Sequence, residues 1–170
     1  MKHLLQWIND DMLNLEFCLA LDKPWIRRIV ATRSEIEPKI LAWMHNNPKI
    51  SVFFLDGSQM QSLNDFFNEL IRGYSLPDYF GRNFNALDEC LNDESVLDGT
   101  AFLTVIFNAD KILTKDCHDR FELFLDVLTR AGDDWAVPIN VGEAWDRPAK
   151  PFHVIMQYEP TTFEAFRILK

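Results

Sequence analysis

Histidines, cysteines and a surplus of carboxylates are the side chains of this sequence that could do chemistry. None of them is set out for catalysis. His3, His45, His118 and His153 form no HExxH and no other pair at metal-ligand spacing. There is no GxSxG, P-loop or GxGxxG, and six glycines leave little material for a phosphate-cradling loop. His118 follows Cys117 directly, and neighbours on a helix point about 100° apart, so the two do not make a nucleophile and its base. His153 lies in an apolar run and is expected as a packed core residue. Cys18, Cys90 and Cys117 are odd in number and without CxxC spacing, which argues against a disulfide framework and fits a reducing compartment. The expectation is a protein that is not an enzyme, with no catalytic residues, no metal and no cofactor.

The carboxylates are informative through their distribution. The net charge is −9, and residues 78–147 hold 15 acids against 6 bases, while residues 1–77 hold 9 against 8. Such a stretch repels nucleic acid and anionic membranes and attracts a basic partner. Within it lies Leu76 to Asp93, LPDYFGRNFNALDECLND. On a helix starting at Asn83, the residues Phe84, Leu87 and Leu91 share one face, with Cys90 beside them. Asn85, Asp88, Glu89, Asn92 and Asp93 occupy the opposite arc, and residues 85 and 89 project together one turn apart. Acids at a helix C-terminus oppose its dipole, at roughly a few tenths of a kcal/mol each. A local rule broken without visible compensation points to function. Just before the helix, Tyr79 and Phe80 sit in a loop bounded by Pro77 and Gly81, a platform for an aromatic contact. Gly81 permits close backbone approach, and a turn glycine at positive φ explains it equally well. The same pattern also describes a solvated helix face and a core-facing Phe80.

These residues need elements to position them. Leu13 to Leu19 alternates apolar and polar residues, as a half-buried strand does, and Trp25 to Ala31 reads as a second strand after the Asp22-Lys23-Pro24 turn. Ser34 to Glu37 reads as a capping box that opens a helix ending at Asn46-Asn47-Pro48. Residues 1–48 are thus expected as a hairpin-and-helix extension, separate from a domain over 49–170. In that domain Ile50 to Leu55, Phe102 to Phe107 and Phe152 to Met156 read as buried strands. Ser62 to Arg72, Asn83 to Asn92 and Asp116 to Arg130 read as helices between them, with a terminal helix over Thr161 to Leu169. Strands alternating with helices predict an α/β fold, a three-stranded parallel sheet with helices packed on it. Asp133 to Pro151 is long for a connection and holds Trp135 and Trp145. Hydrophobic residues make up 48% of the chain, with 14 Phe and 5 Trp, enough for a real core. No apolar run reaches the roughly 18 residues that a membrane span needs. The opening MKHLLQWIND turns acidic too early for a secretory leader, so a cytoplasmic location is expected.

The segment LPDYFGRNFNALDECL resembles the signature of the barstar family, intracellular inhibitors of secreted ribonucleases. Leu76, Pro77, Asp78, Tyr79, Gly81, Asn83, Ala86, Leu87, Cys90 and Leu91 carry the match. The order of strands and helices over about residues 49–158 is also similar to that family's. The resemblance implies a barstar-like sheet and, as partner, a basic ribonuclease toxin whose active site is filled by an acidic helix and an aromatic loop. The partner-binding residues it implies are Tyr79, Phe80, Gly81, Asn83, Asn85, Asp88, Glu89, Asn92 and Asp93. The sequence departs from the family at Asn85, which takes the first acidic contact position, and at Glu89, a longer acid at the second. Phe80 replaces a Tyr, and Asp88 stands where the family has Trp. The alternative is a protein-interaction or regulatory module on the same scaffold that does not inhibit a nuclease. For residues 1–48 the favoured expectation is a cover for a sheet edge, with a dimer interface and a contact to the toxin as alternatives.

Overall fold

The computed structural model describes residues 5–8 and 13–161. In chain order they form β1 (Leu5–Ile8), a 3-10 helix (Leu15–Leu19), β2 (Ile26–Val30), α1 (Arg33–Asn46), β3 (Ile50–Asp56), α2 (Leu63–Tyr74), α3 (Phe84–Leu91), β4 (Ala101–Phe107), α4 (His118–Trp135) and β5 (Phe152–Tyr158). The strands make one sheet in the order β1-β2-β5-β4-β3, and every pairing is parallel.

The central strands explain this topology. All seven residues of β4, AFLTVIF, are buried, as a strand covered on both faces requires. Their side chains alternate between two cores. Phe102 and Ile106, with Val154 and Met156 of β5, meet Phe66, Phe67 and Leu70 of α2, Leu87 and Leu91 of α3, and Phe124 and Leu128 of α4. Leu103, Val105 and Phe107, with Ile155, meet Ile36 and Ile40 of α1 and Leu15 and Cys18 of the 3-10 helix. The fold is therefore three layers, with the sheet in the middle. Among the described residues no helix is long and apolar enough to cross a membrane.

The sheet departs from the expected three strands by gaining β1 and β2 beyond β5. The expected hairpin of Leu13 to Leu19 with Trp25 to Ala31 is not formed: β2 pairs instead with β1, and the two run parallel. The expected strand over Leu13 to Leu19 is the 3-10 helix. Leu15 and Cys18, three residues apart, are buried, while Leu19 is 43% exposed. The Asn14 carboxamide accepts from Glu16 N–H at 2.9 Å and turns the chain into that helix. The period-two pattern is overridden by a three-residue spacing that puts Leu15 and Cys18 into one buried cluster with Leu103, Val105 and Ile155. β2 bonds directly to β5 and so covers that edge, although by a parallel strand. The cap of α1 falls two residues earlier than the expected box: Thr32 is the N-cap, and Glu35 accepts from its N–H at 2.7 Å. α4 runs on to Trp135, whose ring lies 4.7 Å from that of Phe102 and whose Nε1 donates to Leu91 O at 2.7 Å. The long connection thus begins at residue 136. The expected terminal helix lies almost wholly outside the described residues.

His153 is fully buried, as expected. Its Nε2–H faces Ala20 O at 2.8 Å, which leaves Nδ1 to accept from the Arg27 guanidinium at 3.1 Å. Burial first, then the Arg27 charge, holds its pKa down at about 4.

Candidate protein-binding site

The segment between α2 and α3 is shaped by its ends. Ser75 closes α2 in the left-handed region at φ 53°, its N–H bonded to Ile71 O. Leu76 then turns into the core at 6% exposure, and Phe80 N–H donates to Pro77 O at 2.9 Å. That turn divides the two aromatic residues. Tyr79 is 75% exposed. Phe80 is 7% exposed, its ring 5.9 Å from that of Phe67. Of the two readings the sequence offered for Phe80, the structure has the core-facing one, and Tyr79 is the exposed ring of the loop.

Arg82 pins the loop to α2, its guanidinium donating to Asn64 O and Oδ1 and to Asn68 Oδ1. It is Arg82, at φ 48°, that occupies the left-handed region here. Gly81 has a different reason for lacking a side chain: a Cβ there would lie 2.9 Å from Asn83 Nδ2, which donates to Gly81 O. Asn83 is the N-cap of α3, and its Oδ1 accepts from Ala86 N–H at 2.9 Å.

The helix α3 sorts the remaining candidates. Leu87 and Leu91 are fully buried and Cys90 nearly so. Asn85 and Glu89 are exposed, one turn apart. Among the described residues the Glu89 carboxylate has no hydrogen bond and no ion pair, so it is a charge held on a rigid element without internal use. Asp88 is instead half-buried, its carboxylate 3.2 Å from Nε of Arg130 on α4. Asn92 also turns to α4, with Nδ2 donating to Asp88 O at 3.1 Å and to Asp134 Oδ2 at 3.3 Å. Burial, Asp88 and Asp133 together raise the pKa of Asp134. Asp93 is exposed, and its carboxylate accepts from Ser95 N–H at 2.7 Å, which starts the next turn and accounts for an acid at this helix end.

The nine candidates thus divide. Tyr79, Gly81, Asn83, Asn85, Glu89 and Asp93 share the exposed rim. Asp88 and Asn92 face α4, and Phe80 is core. A neighbour the motif did not contain is the 136–151 connection. Lys150 Nζ lies 2.7 Å from Glu94, just after α3, and Arg147 donates to Asp134 O in the last turn of α4 at 3.1 Å, so the base of this connection is tied to both. It carries Trp145 at 62% exposure and Val141 at 67%. The Asp146 carboxylate accepts the N–H groups of Val141 and Gly142, both at 2.9 Å, and closes the loop beneath them. The signal in sequence was Trp145 itself, an aromatic residue in a polar, proline-containing stretch.

No curated protein matches this chain. Among solved structures it is similar to the Aeropyrum pernix ORC2 protein in its ADPNP–ADP complexes, at a TM-score of 0.51 and 10% identity. That likeness covers 92% of this chain and 40% of the other, and at such identity it is one of fold alone. A family model described as "Barstar (barnase inhibitor)" matches residues 50–157, from the start of β3 almost to the end of β5. The stretch that positions α3 and the loop before it is thus the matched stretch, and the chain belongs to the barstar family.

Proposed function

We propose that this protein inhibits a basic ribonuclease toxin in the cytoplasm by inserting the α3 rim into its active site. The observation that carries this reading is Glu89, exposed and without a hydrogen-bond or ion-pair partner among the described residues, one turn from Asn85 and on the same rim as Tyr79. An RNA-cleaving site presents Arg and Lys to the scissile phosphate. Glu89 accepts charge-assisted hydrogen bonds from those groups and stands in for a phosphate. Asn85 adds a neutral hydrogen-bonding group. Tyr79 supplies apolar area where a base would stack. The acidic 78–147 stretch steers the basic toxin to the site.

The test is titration calorimetry against the cognate ribonuclease, with Glu89→Gln and Tyr79→Ala. Each is expected to weaken binding by about 2 kcal/mol or more, roughly thirtyfold. An unchanged dissociation constant for Glu89→Gln would sink the active-site plug. One observation favours the second reading, an interaction module without inhibitory activity. With Asn85 neutral and Asp88 paired to Arg130, Glu89 and Asp93 are the exposed carboxylates left on the rim. Tight binding that leaves RNA cleavage untouched would decide for it.

A further inference from the structure

The sheet ends at β3, and β3 is an awkward edge. Ile50 to Leu55 reads ISVFFL, uncharged, β-branched and aromatic, with no proline. Such a segment at a free edge is a template for another strand. Two side chains of α2 reach over it. The Arg72 guanidinium donates to Phe54 O at 2.8 Å, and the Glu69 carboxylate accepts from Asp56 N–H at 2.8 Å. The two side chains bind each other as well, through Arg72 Nε to Glu69 Oε2 at 2.7 Å and Arg72 NH2 to Glu69 Oε1 at 2.6 Å. Glu69 is only 5% exposed.

The pattern of these bonds is that of a missing strand. In a parallel ladder, one residue of a strand donates its N–H to one carbonyl of its neighbour. It also accepts the N–H two positions further along that neighbour. Phe54 C=O and Asp56 N–H are such a pair. Arg72 supplies the donor and Glu69 the acceptor that one residue of an added strand would have brought. Among the described residues no side chain covers the outer edge at Val52 in this way.

We propose that the Glu69–Arg72 pair is an edge guard: by occupying the outward Phe54 C=O and Asp56 N–H it prevents β3 from pairing, across a two-fold axis and so antiparallel, with β3 of a second copy of this chain. The pair is on the side of the sheet that ends in β3, and the inference is independent of the ribonuclease reading. The test is sedimentation velocity of the full chain over a concentration series. Wild type and Glu69→Gln, which keeps an acceptor for Asp56 N–H, are expected to sediment as monomers. Glu69→Ala combined with Arg72→Ala is expected to self-associate at least about tenfold more tightly, and adding Val52→Pro is expected to reverse this, because proline removes a ladder donor at the edge. Arg72 is largely exposed, so Arg72→Ala alone keeps the fold and is expected to associate to a lesser degree. An opened variant with wild-type circular dichroism that stays monomeric would overturn the proposal. So would association that Val52→Pro does not reverse, no change in Arg72→Ala, or a wild-type chain already paired through β3.

Discussion

At the scale of residues, two adjacent carboxylates have different surroundings and should have different effects. Asp88 is half-buried against Arg130, whereas Glu89 stands clear of the fold. Asp88→Asn is expected to change ribonuclease affinity by well under 1 kcal/mol, the size of a partly exposed ion pair. Glu89→Gln should cost about 2 kcal/mol or more, and a double-mutant series in one calorimeter compares the two. His153 makes a separate prediction about pH. Its folded pKa is about 4 against an ordinary 6.5, so the unfolded chain binds the extra proton first as pH falls. The contribution is complete above the ordinary value, is lost between about pH 6.5 and 4, and amounts to about 3 kcal/mol. The ring is surrounded by the Arg27 guanidinium, the backbone of Ala20, Pro24 and Trp25, and the rings of Phe17 and Trp25; burial and the Arg27 charge outweigh the backbone hydrogen bonds, which favour the protonated ring. Urea unfolding at pH 7 and pH 4.5 should show this loss in the wild type and much less of it in His153→Gln. The carboxylates Asp56 and Asp133, held below their ordinary values, act at lower pH still.

At the scale of elements, the joint between α4 and the chain before β2 is closely packed. A Cβ on Gly132 would lie 2.4 Å from Cγ of Trp25, and Trp25 Nε1 donates to Asp133 Oδ1 at 2.6 Å. Gly132→Ala should therefore cost about 2 kcal/mol through overpacking, although alanine is the better helix former. A lower midpoint in thermal unfolding checks it, and an unchanged midpoint would mean that the Trp25 ring moves freely. The N-cap of α3 is a second such point. Asn83→Ala should cost about 1 kcal/mol and loosen the rim, with faster amide exchange in Asn85 and Ala86.

At the scale of the whole molecule, residues 1–48 and 49–170 share one sheet, because β2 supplies the ladder on one side of β5. The same stretch provides the layer of Leu15, Cys18, Ile36 and Ile40 over Leu103, Val105 and Ile155. Residues 49–170 made alone should lack cooperative unfolding or self-associate, since one core and one sheet edge are uncovered. Calorimetry and gel filtration of that fragment check it, and a monomer with a sharp transition would show that the N-terminal stretch is an appendage.

The apolar runs ISVFFL and AFLTVIF, the spacing of Phe66, Phe67 and Leu70, and the LPDYFGRNFNALDECL motif determined by themselves the sheet of the family-matched stretch, its helices and the place of the candidate rim. Local periodicity suffices there because burial on one or two faces leaves a pattern of period 3.6 or an unbroken apolar run. Other features depend on groups far apart in the chain. The pairing of β1 and β2 in parallel rests on a connection whose path no local pattern records. Whether Phe80 faces in or out turned on the space beside Phe67, and whether Asp88 is free turned on Arg130, 42 residues away. The guard over β3 likewise came into view only when Glu69 and Arg72 met the backbone of residues 54 and 56. Such contacts are set by packing in three dimensions, where a residue's neighbours are chosen by shape and charge and not by its place along the chain.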